Sequence, residues 1–249
     1  MAIRWMTAFW DFPAETFETG VEFWVEATDA DLSEPRGPGG EFATLIPTEG
    51  DACLRVQRVR SGKGGNHLDL HVDDVAAAAE RATALGASVV AEEQGEVTVL
   101  SSPGGFPFCL VAHHGESRVP SPVEWPGGQR SIADQICIDI PWVGYERERD
   151  FWKAFTGRRG LPSRRPEFER LERPRGMPLE ILLQRREEVG VGEPVTAHID
   201  LACSDVEAET VRHNELGAVP VERFEHWQVM RDPAGLEYCI TSRVPEPAA

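Results

Sequence analysis

The stretch His67-Leu-Asp-Leu-His-Val-Asp-Asp-Val75 returns 131 residues later as His198-Ile-Asp-Leu-Ala-Cys-Ser-Asp-Val206. Leu85-Gly86-Ala87 returns as Leu216-Gly217-Ala218 at the same offset. Pro103-Gly104-Gly105 through Cys109 is echoed by Pro233-Ala234-Gly235 through Cys239 at an offset of 130, and Phe23-Trp24 by Phe151-Trp152 at 128. Four landmarks at nearly one spacing require a duplication, which constrains the fold more than any local pattern does. A chain of 249 residues then divides into two domains of ordinary size. The copies are expected at 1–115 and 132–249. A linker at 116–131 is suggested by Pro120, Pro122, Pro126, Gly127 and Gly128.

Within each copy the periodicity switches between 2 and 3.6. His67, Asp69 and His71 face one way and Leu68, Leu70 and Val72 the other, which predicts a half-buried strand. Asp74 is placed to cap a helix over Val75 to Leu85, and Gly86 to end it. Helices are also predicted over Glu15 to Ala27, Tyr145 to Phe155, and Val206 to Leu216. Strands are predicted at Ile3 to Phe12, Glu41 to Ile46, Ala52 to Val59, Val97 to Leu100, Phe106 to Val111, Gln135 to Ile140, Met177 to Gln184, Thr196 to Cys203, Gln228 to Arg231 and Glu237 to Thr241. Arg158 to Arg175 is expected to be a basic loop. Each half therefore runs strand, helix, strands, twice over. A module with its helix on one face of the sheet must set the other face against a second module or around a ligand.

Composition narrows the partners. A formal charge of −17 argues against nucleic acid and against an anionic membrane surface, since both need a basic face. No apolar run approaches the roughly 18 residues of a spanning helix, and Met1 to Trp5 opens no signal-peptide pattern. Five cysteines without a Cys-x-x-Cys pair suit free thiols in a reducing cytoplasm. Four modules in one chain can satisfy each other, so a monomer is expected, or a homodimer if the halves pair with a second chain.

The motifs His67 to Val75 with Leu85-Gly86-Ala87, and Asp232-Pro-Ala-Gly-Leu-Glu-Tyr-Cys239, resemble those of the vicinal oxygen chelate family, in its glyoxalase-like branch. The resemblance covers nearly all of both halves. It implies an α+β fold of tandem glyoxalase-like domains, each made of two βαβββ modules whose mixed sheet curls around a cavity. It also implies a divalent metal (zinc, nickel, cobalt, manganese or iron) held by residues of the first and last strands of paired modules. Carried over by position, the ligands in the second half are Gln135, Glu180, His198 and Cys239, with Glu180 doubling as the catalytic proton carrier. The matching first-half positions are Trp5, Cys53 or Leu54, His67 and Cys109, a set without a carboxylate. An iron triad of two histidines and one carboxylate fits neither set.

Two functions follow. One is a metal-dependent lyase or isomerase of a small oxygenated metabolite, seated in the second half. The other is a metal-free binding protein of the bleomycin-resistance type, with Trp5, Trp10 and Trp142 as aromatic surface. The arginines between 158 and 175 suit either an anion-steering loop or a solvated loop paired with nearby acids. His113 and His114 are expected at the surface, as is Glu237.

Overall fold

The computed structural model describes residues 2–93, 96–187 and 192–246. In the first half lie β1 (Ile3–Pro13), α1 (Phe17–Thr28), β2 (Asp31–Leu32), β3 (Phe42–Ile46), β4 (Leu54–Val59), β5 (Gly65–Val72), α2 (Val75–Ala84), β6 (Ser88–Glu93), β7 (Val97–Ser101) and β8 (Pro107–Ala112). The second half holds β9 (Val123–Glu124), β10 (Arg130–Pro141), α3 (Tyr145–Thr156), β11 (Gly160–Pro162), β12 (Phe168–Leu171), β13 (Glu180–Arg186), β14 (Thr196–Cys203), α4 (Val206–Glu215), β15 (Val219–Arg223), β16 (Trp227–Arg231) and β17 (Glu237–Thr241).

The strand orders repeat as the sequence does. One sheet runs β2-β3-β4-β1-β5-β8-β7-β6, the other β11-β12-β13-β10-β14-β17-β16-β15, with β9 paired to β10 outside that path. Both sheets are mixed: β5 pairs with β8, and β14 with β17, in parallel, while the hairpins are antiparallel. Neither sheet closes, so the fold is a tandem α+β arrangement without a barrel.

The boundaries of α2 and α4 share one chemistry, predicted for Asp74 and repeated at Asp205. Asp74 Oδ1 accepts from the Ala77 N–H at 2.9 Å, and Asp205 Oδ1 from Glu207 and Ala208 at 3.1 and 3.0 Å. These caps satisfy donors that a helix start leaves orphaned. Gly86 and Gly217 follow the last turns with φ of +106° and +102°, a region that penalises any side chain.

Two expectations are revised. The basic segment 158–175 is not one loop. It contains β11 and β12, with Phe168 opposite Gln184 on β13. The strand around His67 is not half-buried either: Leu68 and Leu70 are fully buried on one face, and His67, Asp69 and His71 are 8%, 5% and 2% exposed on the other. Both faces of β5 are dry, which makes each polar group on it costly unless paired or coordinated.

By compactness the chain divides into two units. The first comprises Met1–Ala8, Asn66–Ser117 and Ile136–Ala197; the second comprises Phe9–Gly65, Arg118–Gln135 and His198–Ala249. In the first unit Phe108 meets the Trp152 ring edge-on at 5.3 Å, and Phe151 stacks on Phe155 at 5.6 Å. The buried Glu148 carboxylate accepts from the Gly104 N–H at 2.7 Å and from Trp152 Nε1 at 2.8 Å. Burial, the largest influence, still raises its pKa.

The core of the second unit is the stack of Trp10 on Trp24, with ring centres 3.9 Å apart, and Tyr238 edge-on to Trp24 at 4.9 Å. Such pairs add roughly 0.5–1.5 kcal/mol beyond their buried area. Trp10 is thus a core residue, whereas Trp142 is 55% exposed. Trp24 Nε1 donates to the buried Asp232 Oδ2 at 2.9 Å. The proline- and glycine-rich segment belongs to this unit and is a packed hairpin: Glu124 pairs with Arg130, Trp125 Nε1 donates to Ser131 Oγ at 2.8 Å, and Arg212 lies 3.4 Å over the Trp125 ring.

Candidate metal sites

Strand register builds the same three-residue cluster twice. In the second unit Asp200 on β14 sits directly opposite Cys239 on the parallel β17. His198 lies two residues before Asp200, so the pleat puts both on one face. Possible ligand atoms of His198, Asp200 and Cys239 all fall within 4.8 Å of one another. His198 Nε2 is 3.2 Å from Asp200 Oδ1. In the first unit Asp69 on β5 sits opposite Cys109 on β8, and His67 precedes Asp69 by two. Those three atoms also lie within 4.8 Å, with His67 Nε2 3.7 Å from Asp69 Oδ1. The second triad repeats the first at offsets of 131, 131 and 130 residues.

These clusters fit a divalent transition metal. Asp200 is 3% exposed, and its Oδ1 is buried without a hydrogen bond. A buried carboxylate oxygen is costly at such depth unless it is paired or coordinated, and a cation shared with His198 would do both. Imidazole, carboxylate and thiolate are all zinc ligands, and three protein ligands leave a fourth position open, as in catalytic zinc sites. A thiolate selects against magnesium and calcium.

The four positions inferred from the family pattern are placed as follows. His198 and Cys239 come together, with Asp200 as their carboxylate. Gln135 is buried on β10, in the same compact unit. Glu180 opens β13 in the other unit, with Oε2 3.7 Å from Arg170 Nη1. Sequence reasoning did not count Asp69 and Asp200 among the candidate ligands, although the repeated His-x-Asp on the polar face carried the signal. The first half therefore does hold a carboxylate beside its histidine. Glu237 is exposed and paired with Arg231 at 2.8 Å. His113 is half-buried and faces Glu116, not solvent alone.

A separate buried network in the second unit is centred on Glu209. Glu209 is fully buried. Desolvation alone would raise its carboxyl, but hydrogen bonds from His213, Arg212 and Ser131 outweigh burial and hold it down at about 2. Arg212 Nη2 and Ser131 Oγ donate to Glu209 Oε1 at 2.7 and 2.6 Å, and His213 Nδ1 lies 2.7 Å from the Tyr238 hydroxyl. Separately, a cavity of about 340 Å³ in the second unit is lined by Ala27, Leu45, Cys53, Pro120, Ala133 and Leu201 among others. None of the five cysteines is in a disulfide. Among the described residues no helix is long and apolar enough to cross a membrane.

The family model of the glyoxalase-like domain matches this chain twice, over residues 8–111 and 135–241. The chain belongs to the glyoxalase-like domain family. No curated protein matched this glyoxalase-like chain. Among solved structures it is similar to the Mn(II)-bound glyoxalase from Novosphingobium aromaticivorans, at 15% identity and a TM-score of 0.66 over 99% of this chain and 83% of that one. It is also similar to 2,2',3-trihydroxybiphenyl 1,2-dioxygenase from Sphingomonas wittichii, at 14% identity and a TM-score of 0.64 over 96% and 90%. A mutant 4-hydroxymandelate synthase from Streptomyces coelicolor gives 14% identity and a TM-score of 0.62 over 98% and 93%. At these identities the likeness is one of fold, the vicinal oxygen chelate fold that the motifs imply.

Proposed function

We propose that this glyoxalase-like protein is a divalent-metal-dependent lyase or isomerase of a small oxygenated metabolite, with its centre at His198, Asp200 and Cys239. The observation that carries the proposal is the buried Asp200 Oδ1, which accepts no hydrogen bond, beside an imidazole and a thiol. A metal held there would act as a Lewis acid toward a carbonyl or enediolate oxygen. The chain's own part is to present three ligands from rigid strands, so that register and not a loop sets their geometry. Burial of Asp200 and Cys239 at 3% and 7% exposure keeps bulk water from the ligand shell. Gln135 extends the set on the family pattern, in the same compact unit. The Mn(II) of the Novosphingobium protein supports metal dependence.

The test is metal content together with turnover of glutathione and thiol adducts of small aldehydes. Metal bound by the wild type, lost in Asp200→Asn with the fold kept, and turnover lost in parallel are the expected results. Full turnover in the metal-stripped protein would overturn the reading.

The second reading, a metal-free binder of small apolar ligands, draws on the 340 Å³ cavity in the second unit. Thermal stabilisation by planar aromatic compounds that is unchanged in His198→Ala would favour it.

A further inference from the structure

We infer that His71, His113 and Glu116 form a further, thiolate-free divalent metal site in the first unit. Both imidazoles converge on one carboxylate oxygen: Glu116 Oε2 lies 3.7 Å from His71 Nδ1 and 3.2 Å from His113 Nδ1. The three ligand atoms lie within 4.8 Å of one another. His113 Nδ1 is buried and makes no hydrogen bond, although the carboxylate is near enough to accept one. Two imidazole nitrogens and a carboxylate oxygen brought this close, with no hydrogen bond satisfying His113 Nδ1, are placed to share a cation.

The surroundings orient these groups. His71 is 2% exposed on β5, and its Nε2 is 2.9 Å from Thr7 Oγ1, which leaves Nδ1 for the cluster. Outer contacts of this kind fix the tautomer and ring angle of metal-bound histidines. The His113 N–H donates to Val72 O at 3.1 Å, which ties the chain after β8 to the end of β5. Gly115 then turns with φ of +107°, and the Glu116 carboxylate comes back over His113 while accepting from the His114 N–H at 3.2 Å. The side chains of His113 and Glu116 are 16% and 21% exposed, so an ion and one further ligand can reach them.

This cluster is not part of the duplicated scaffold. The positions corresponding to His71 and His113 in the second half are Ala202 and Arg243, and Arg243 is paired with Asp134 at 2.8 Å. Two histidines and one carboxylate with open positions suit zinc, or iron and its neighbours, and contain no sulfur. That chemistry separates this site from the two His-Asp-Cys triads.

The experiment is titration of the metal-stripped full-length chain with cobalt(II), read by its visible spectrum and by equilibrium dialysis. In Cys109→Ser/Cys239→Ser the thiolate-to-cobalt charge-transfer band is absent by construction. One equivalent of cobalt with only ligand-field bands is expected to remain bound there. Adding Glu116→Gln or His113→Ala is expected to remove that equivalent, whereas His114→Ala leaves it. Thr7→Val is expected to weaken it by about 10–100-fold. In the otherwise wild-type chain His113→Ala should lower cobalt uptake by one equivalent and leave any charge-transfer band intact, which keeps the test independent of the cysteine variants. Uptake unchanged by both Glu116→Gln and His113→Ala would overturn the site, whatever the triads do. Loss of the charge-transfer band alone would count against the triads only.

Discussion

Replacing Glu209 by glutamine isolates one buried charge. The carboxyl is held at about 2 against an ordinary value of 4.5. A depression of that size corresponds to about 3 kcal/mol of stability at neutral pH. The sign follows from the direction. A lowered folded-state pKa favours the folded protein above 4.5, and the contribution disappears as pH falls toward 2. The amide in the Glu209→Gln variant keeps the shape and some hydrogen bonds but leaves Arg212 without its 2.7 Å carboxylate partner. Glu148 and Asp232, both raised chiefly by burial, work in the opposite sense. The wild-type acid profile is therefore a composite, and the difference between wild type and Glu209→Gln is the informative quantity. Urea unfolding at a series of pH values should show a gap of about 3 kcal/mol near pH 7. That gap should narrow steadily below pH 4.5. A gap that is absent at pH 7, or that does not change with acid, would refute the assignment of Glu209 as the charge that organises this network.

Trp24→Phe removes the indole N–H that donates to the buried Asp232, and is expected to destabilise the protein by about 1–3 kcal/mol in the same urea assay. Arg158 is 8% exposed, lies 3.6 Å from the Met6 sulfur, and has its Nη1 buried without a hydrogen bond; burial lowers its pKa to about 10. Arg158→Met is therefore expected to leave the melting temperature unchanged or raise it. Asp205→Ala removes a double cap from α4 and should cost about 1 kcal/mol, measured by thermal unfolding.

The architecture was legible because the sequence repeats it. One offset near 130 residues predicts paired modules, and apolar spacing, with Asp74 at one start and Gly86 and Gly217 at two ends, places the helices within one or two residues. The missed strands have physical reasons. Every residue of β15 is exposed and Pro220 sits inside it, so this edge strand shows no burial alternation. β11 is only Gly-Leu-Pro and β12 only Phe-Glu-Arg-Leu, too short to show a period, and they lie among charged residues that pair just beyond their ends, such as Arg159 with Glu172 at 3.0 Å. The site divides in the same way. His198 and Asp200 share a face by simple alternation, but Cys239 joins them only through the parallel register of β14 and β17, which no local pattern encodes. His113 and Glu116 meet because Gly115 takes a left-handed turn, and in sequence they look like a polar surface stretch.

The most direct test of metal dependence is elemental analysis of protein purified without chelator or affinity metal, and again after loading with zinc, nickel, cobalt, manganese or iron. Asp200→Asn and Cys239→Ser should each hold one equivalent less than the wild type while keeping its circular dichroism spectrum. Wild-type protein that takes up no divalent metal under any of these conditions would contradict the account.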